Sequence, residues 1–289
     1  QARLRARGGS TTPPRAPAMT SPYLVVGAFA FMVAMNVLAS RRAFGGKDNK
    51  ELSDEHPTYL SPDGLTFAVW GMIYLLEAVL VVGQAIPSER TDKLMSPTCP
   101  VTGLDVRGRL VLAFALNGVW LPTFNNELFW IALGIMSLYL AVLASAYGDL
   151  NASKTNGVLE QTVFTAGLAM NTSWIIVASL VSVFFCGGEA GWKDEYGVAG
   201  SVPVAMVLAG LVALLGCERA LRSVDLPWAF VAGWALRGIF RMQTIPDKVR
   251  FPIGAMSPTL GQSARLASMA VWLAMAAGAG RSLYSSMLR

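Results

Sequence analysis

The chain has 289 residues, of which 54% are hydrophobic and only 14% charged, with a formal net charge of +5. Soluble proteins carry about a quarter of their residues charged; here the apolar residues fall in long blocks between short polar stretches, the pattern of a helical membrane protein. A soluble enzyme is excluded on that ground, and one histidine with three scattered cysteines excludes Cys/His zinc sites, Ser-His-Asp triads, bis-histidine haem and a disulfide framework.

Residues 1–22 form a basic arm. Arg3, Arg5, Arg7 and Arg15 sit among Ser, Thr and Pro, and no acidic residue precedes Asp48. That composition reads as an organelle transit segment or its remnant, with plastid favoured over mitochondrion, and the alternative is a disordered basic arm. The first expected span is Tyr23 to Ser40, followed by a charged loop from Arg41 to Asp63. The second is Thr66 to Ile86, ended by Pro87. The third covers Gly108 to Phe124 and the fourth Leu128 to Tyr147, joined by Asn125-Asn126-Glu127, which is short enough to force a tight antiparallel turn. The fifth runs from Thr162 to Cys186. Beyond a Gly-rich loop come a sixth, Ser201 to Cys217, a short seventh, Leu226 to Phe240, and a short last one, Leu266 to Gly280. At about 1.5 Å per residue the last two cover less than the roughly 30 Å hydrocarbon core, so they are expected to tilt, insert partway or lean on partners. The cysteines read as small apolar side chains at helix ends. Lys and Arg divide nearly evenly between the two sides, so the positive-inside rule sets no orientation. No nucleic-acid motif is present.

Polar side chains inside lipid are costly and each invites a functional reading. Glu77 lies mid-span, Asn36 late in the first span, Gln84 late in the second, Asn117 midway in the third and Asn171 in the fifth. They either line a polar ligand cavity or hold a pigment, or they bond to one another as interhelical glue. His56, in a polar loop, is a further potential pigment ligand. Of the eight tryptophans, Trp130, Trp192 and Trp228 fall near span ends, where aromatic belts form; the others lie inside spans. Trp70 and Tyr74 are one turn apart, as are Trp120 and Phe124, and Trp174 and Ala178. Three such faces can converge on a slot for a flat conjugated ring, closed by one amide such as Asn117, or can interdigitate and leave no space.

The tryptophans also follow a recognisable grammar. The run Pro62, Phe67, Trp70, Tyr74 in the second span resembles the opening of the second helix in the tryptophan-rich sensory protein/translocator protein (TspO/MBR) family. Leu116-Asn117-Gly118-Val119-Trp120-Leu121-Pro122-Thr123-Phe124 is similar to that family's third-helix signature, and Trp174 with Ala178 to its fifth. The resemblance implies an all-α integral membrane fold: a five-helix TspO-like bundle over 23–186, often dimeric, with about three additional C-terminal helices over 187–289. It implies a pocket for planar hydrophobic ligands such as porphyrins or sterols, with Trp70, Tyr74, Asn117, Trp120, Phe124, Trp174 and Ala178 as ring contacts. The segment Trp234 to Ile239 resembles one near the end of longer bacterial members. The chain departs from the pattern at Gly64, where the family has a lid tryptophan, at Met170-Asn171, where it has Pro-Tyr, and at Ser182, where it has Asn. These departures keep the scaffold tryptophans and remove part of the lid that the family's pocket implies.

Two functions follow as expectations. One is a non-enzymatic membrane protein that binds a tetrapyrrole, carotenoid or sterol in a sensing, transport or regulatory role, alone or as a homodimer. The other is an accessory subunit of a large organellar membrane complex, such as a photosystem-antenna assembly, contacting chlorophyll or carotenoid. A transporter lacks support from either a repeated half or a charged pathway.

Overall fold

The computed structural model describes residues 19–153, 157–245 and 251–288, so most of the basic arm and its transit-segment reading lie outside the described residues. Every regular element among them is helical. In chain order the helices are α1 (Pro22–Ser40), α2 (Asn49–Glu55), α3 (Val69–Ala85), α4 (Glu89–Met95), α5 (Val106–Asn125), α6 (Phe129–Ala152), α7 (Val158–Gln161), α8 (Gly167–Glu189), α9 (Val202–Glu218), α10 (Leu226–Thr244) and α11 (Pro258–Met287). A 3₁₀ turn, Gly64–Ala68, leads into α3, and a π segment, Thr162–Ala166, joins α7 to α8. Prolines in the first turn begin α1, α9, α10 and α11, where a missing N–H is harmless. Asp105, Asp225 and Ser257 cap α5, α10 and α11 by accepting backbone N–H groups.

Among the described residues, six helical stretches are long and apolar enough to cross a bilayer: Pro22–Ser40, Gly64–Ala85, Phe129–Ala152, Val158–Glu189, Val202–Ser223 and Pro258–Met287. The remaining long helices, α5 and α10, are less apolar and carry Arg107 with Arg109 and Arg237 with Arg241. α5 packs against α1 and α6, and α10 against α8, α9 and α11. The last span is not short. α11 has 30 residues, about 45 Å of helix, because Gln262, Ser263 and Arg265 interrupt the apolar pattern without interrupting helix propensity.

The helices form two groups that share one wall. α1, α3, α5, α6 and α8 make one bundle, and α8 continues into contact with α10, which packs on α9 and α11. The apolar window of α8 is 67% buried against 17% for α1 and 22% for α11, so α8 is the central post. It approaches α3 backbone to backbone: a Cβ on Gly167 would lie 2.9 Å from the Glu77 nitrogen, a contact only glycine allows.

The connections at one end hydrogen-bond into a cap. The Lys47 N–H donates to the Asn125 carbonyl (2.9 Å), the Ala199 N–H to Pro57 (2.8 Å) and the Tyr59 N–H to Ala199 (3.2 Å). The stretch expected to be a plain charged loop contains α2, whose Leu52 is fully buried with Phe124, Phe129 and Phe185. At the opposite end Arg107 bonds Gln84 (2.9 Å) and Asp92 (2.9 Å), and Arg109 bonds Asp149 (2.6 Å). Trp228 is not an interfacial belt residue. It is 2% exposed and lies under the Arg219 guanidinium at 5.8 Å. Cys99 sits in the loop between α4 and α5 rather than at a helix end, and all three cysteines are free.

Candidate functional site

The tryptophan pairs expected from the sequence meet near the capped end. The periodicity that puts Trp70 on α3, Trp120 and Phe124 on α5 and Trp174 and Ala178 on α8 turns these side chains toward a common space, lined also by Phe67, Val181, Ser182 and Phe185. Trp70 and Trp174 meet edge to face, with centroids 6.1 Å apart at 78°, and Phe67 meets Trp174 the same way at 5.5 Å. Trp120 and Phe124 stack at 5.2 Å. Ala178, one turn from Trp174, is a small residue that leaves room beside the rings. The result is a slot of about 80 Å³, far below the roughly 300–1,000 Å³ of pockets that enclose drug-sized ligands. Its roof is Ser53 of α2 with Ser61 and Pro62. This roof stands where Gly64 supplies no lid tryptophan, because α2 folds over the gap on its buried Leu52. The Trp120 indole N–H is buried without an acceptor among the described residues.

Tyr74 and Asn117 do not line the slot. They belong to a chain of polar groups deeper in the bundle, to which each of its five helices contributes. The Asn36 amide donates to the Tyr74 hydroxyl (2.8 Å) and to Asn117 Oδ1 (2.9 Å), and Asn117 donates to the Tyr139 hydroxyl (3.3 Å). Asn171 donates to the same hydroxyl (2.6 Å) and to Glu77 Oε1 (2.5 Å). Interhelical glue therefore describes Asn36, Asn117 and Asn171. Glu77 is fully buried, and among the described residues its Oε2 and the Asn171 Oδ1 have no partner and no cationic side chain pairs with it. Sequence reasoning missed Tyr139; its one signal was a hydroxyl in the middle of an apolar span. Gln84 lies at the other end of the bundle, donating to Pro22 and accepting from Arg107.

His56 sits beside the roof. Its Nε2 is 3.2 Å from Glu127 Oε2, and its ring packs on Phe129 at 5.1 Å. Ligand atoms of Glu55, His56 and Glu127 lie within 4.8 Å of one another, yet the carboxylates already share a cation: Lys47 Nζ is 2.5 Å from Glu55 and 2.7 Å from Glu127. Hydrogen bonds to Glu127 and Glu55 hold that ammonium above the ordinary lysine range.

The segment entering α3 is held from the far side by α10. Arg241 forks onto Asp63 with two bonds of 2.8 Å, Thr66 donates to Asp63 (2.5 Å), and the Trp234 indole donates to the Thr66 carbonyl (2.9 Å). The Asp63 N–H donates to the Gly238 carbonyl at 3.2 Å. A Cβ on Gly238 would fall 2.0 Å from Thr66 Oγ1, so close approach demands glycine here. Burial alone would push the Asp63 carboxyl up, but the bonds from Arg241 and Thr66 outweigh it and hold it below the usual range.

This arrangement of tryptophans, with the α10 segment included, agrees with a comparison against protein families: the profile of TSPO-like proteins matches residues 22–276. The chain belongs to the TSPO-like protein family. The match runs from α1 into α11, so it takes in the α10 contacts of this TSPO-like chain as well as the slot. Neither curated proteins nor solved structures gave a significant match. A closed tetrapyrrole site is not what the TSPO-like slot offers. A macrocycle exceeds its volume, and the lone histidine, engaged by Glu127, lies outside the lining.

Proposed function

We propose that this polytopic membrane protein of the TSPO-like family binds a planar apolar ligand, as a sensor, transporter or regulator rather than a catalyst. The ligand slides one flat ring into the slot between Trp70, Trp120 and Trp174. The observation that carries this reading is the slot itself: aromatic walls, the small side chain of Ala178 among them, and the unpartnered Trp120 N–H to orient a ligand acceptor. A sterol edge or a single aromatic ring suits the closed volume, and a porphyrin or carotenoid ring enters only when α2 lifts. The Arg-, Ser- and Thr-rich stretch before α1 supports an organellar membrane, a plastid one by its Ser/Thr/Pro content.

The test is a titration of the reconstituted protein with a one-ring aromatic probe, a sterol and protoporphyrin IX, read by tryptophan quenching. The one-ring probe is expected to quench, and Ala178→Leu, which fills the gap, to weaken it at least tenfold with unchanged helicity. Equal quenching in wild type and Ala178→Leu would remove the slot as the site. A second reading, an accessory subunit of a photosystem-type complex contacting chlorophyll or carotenoid, draws on the exposed apolar rows Val207, Leu211 and Leu214 of α9 and Leu266 and Leu273 of α11. Co-migration with a large pigmented complex in mild detergent, without response to added ligand, would favour it.

A further inference from the structure

Two arginines near the α10 contacts on Asp63 take no part in them or in the slot. Arg237 on α10 and Arg265 on α11 are exposed and lie against one ring, with their guanidinium carbons 4.6 Å and 5.8 Å from the Phe240 centroid. Among the described residues neither forms an ion pair, whereas the neighbouring Arg241 is forked onto Asp63. Two like charges brought to one ring repel each other, and an anion between them removes that repulsion.

Their level along the bundle follows from two contacts of α10. The Gly238 carbonyl bonds the Asp63 N–H, and the apolar span of α3 begins at Gly64. Arg237 is therefore level with the start of that apolar span. Ser268 donates to the Gly233 carbonyl at 2.9 Å, which sets Arg265, one turn earlier on the antiparallel helix, at the same level. Toward the membrane centre the α10 strip turns aromatic. Trp234 and Phe230 stack at 6.2 Å, and Phe230 meets Trp272 edge to face at 5.5 Å. On α11, Leu266 and Met269 are exposed beside it. Cations at headgroup depth above an apolar wall match an amphiphile with an anionic head and acyl tails. Basic sites of this kind between transmembrane helices take anionic lipid headgroups.

We infer that Arg237 and Arg265 form a binding site for an anionic phospholipid, its phosphate between the two guanidinium groups and an acyl chain along Phe230, Trp234 and Trp272. This site is separate from the ring slot and does not depend on it. Guanidinium suits the role because its fork matches phosphate oxygens while its face stays on the ring.

The test is native mass spectrometry of the full chain in mild detergent, titrated with phosphatidylglycerol and with phosphatidylcholine of the same acyl chains. Wild type is expected to retain phosphatidylglycerol preferentially. Arg237→Gln or Arg265→Gln is expected to lower that preference about fivefold each, and the pair about 30-fold. Arg237→Lys with Arg265→Lys should restore most of the loss, because the charge remains. Competition by inorganic phosphate alone at millimolar level would show a free-anion site and overturn the lipid assignment. An unchanged preference in the double Gln variant would overturn the site, and should that variant fail to fold, an unchanged preference in either single one would do the same.

Discussion

Arg241 gives the sharpest handle on how the slot is kept closed. Replacing it with alanine strips Asp63 of two bonds of 2.8 Å and Thr66 of one of 3.3 Å. The Arg241 and Asp63 side chains are 21% and 22% exposed, between a surface pair worth roughly 0.2–1 kcal/mol and a fully buried pair whose halving costs about 3–5 kcal/mol. An intermediate value of about 2 kcal/mol follows, equivalent to roughly a 30-fold rise in the open population of segment 61–68. Hydrogen–deuterium exchange of that segment in detergent reads this directly. Arg241→Ala should accelerate exchange about 30-fold there and leave α6 unchanged, while Arg241→Lys should recover part of the protection. The sign of the pH effect follows from the depressed Asp63 pKa. The contribution is present above the unfolded carboxyl range and is lost as pH falls through the lower, folded value, so wild-type protection should persist to below about pH 4. Unaltered exchange in Arg241→Ala, or protection lost already near neutrality, would refute the reasoning.

Two further outcomes test the interior and the far end. Asn171→Leu removes the link between Glu77 and Tyr139 and should lower thermal stability in detergent by about 1–2 kcal/mol, since interhelical hydrogen bonds in lipid average less than in a dry core; a loss above about 4 kcal/mol would mean that Glu77 has no alternative partner. Asp225 accepts from the Tyr147 hydroxyl and from the Trp228 N–H, and burial pushes its carboxyl up to about 6. The native state then holds a proton that the unfolded chain releases. Stability should fall by up to about 3 kcal/mol as pH rises from 4 to 7, and Asp225→Asn should flatten that slope in a melting series.

What the sequence disclosed followed from period and composition. Trp70, Trp120, Phe124, Trp174 and Ala178 were legible because helical spacing puts each pair on one face, and the slot is where those faces meet. Its small volume was not legible, because it depends on how far Gly167 lets α8 sink onto α3. Asn36, Asn117 and Asn171 stood out as costly groups, but only coordinates reveal that they bond one another through Tyr139. α2 escaped notice because seven mostly polar residues carry no amphipathic signal, although its single apolar Leu52 anchors the roof. The contact between Asp63 and Arg241, 178 positions apart, leaves no trace in any local pattern. The start of α11 was not legible because Gln262, Ser263 and Arg265 interrupt the apolar pattern without interrupting the helix.

That separation also orders events in time. At about 5–20 residues per second, the ribosome delivers Arg241 roughly 10–35 seconds after Asp63 has emerged. Until then Asp63 lacks its cationic partner, and α8, once made, lacks the cover that α10 gives it. The slot is thus finished by the late-made helices, and a chain halted after α8 would expose to quality-control proteases the same turn that the completed protein conceals.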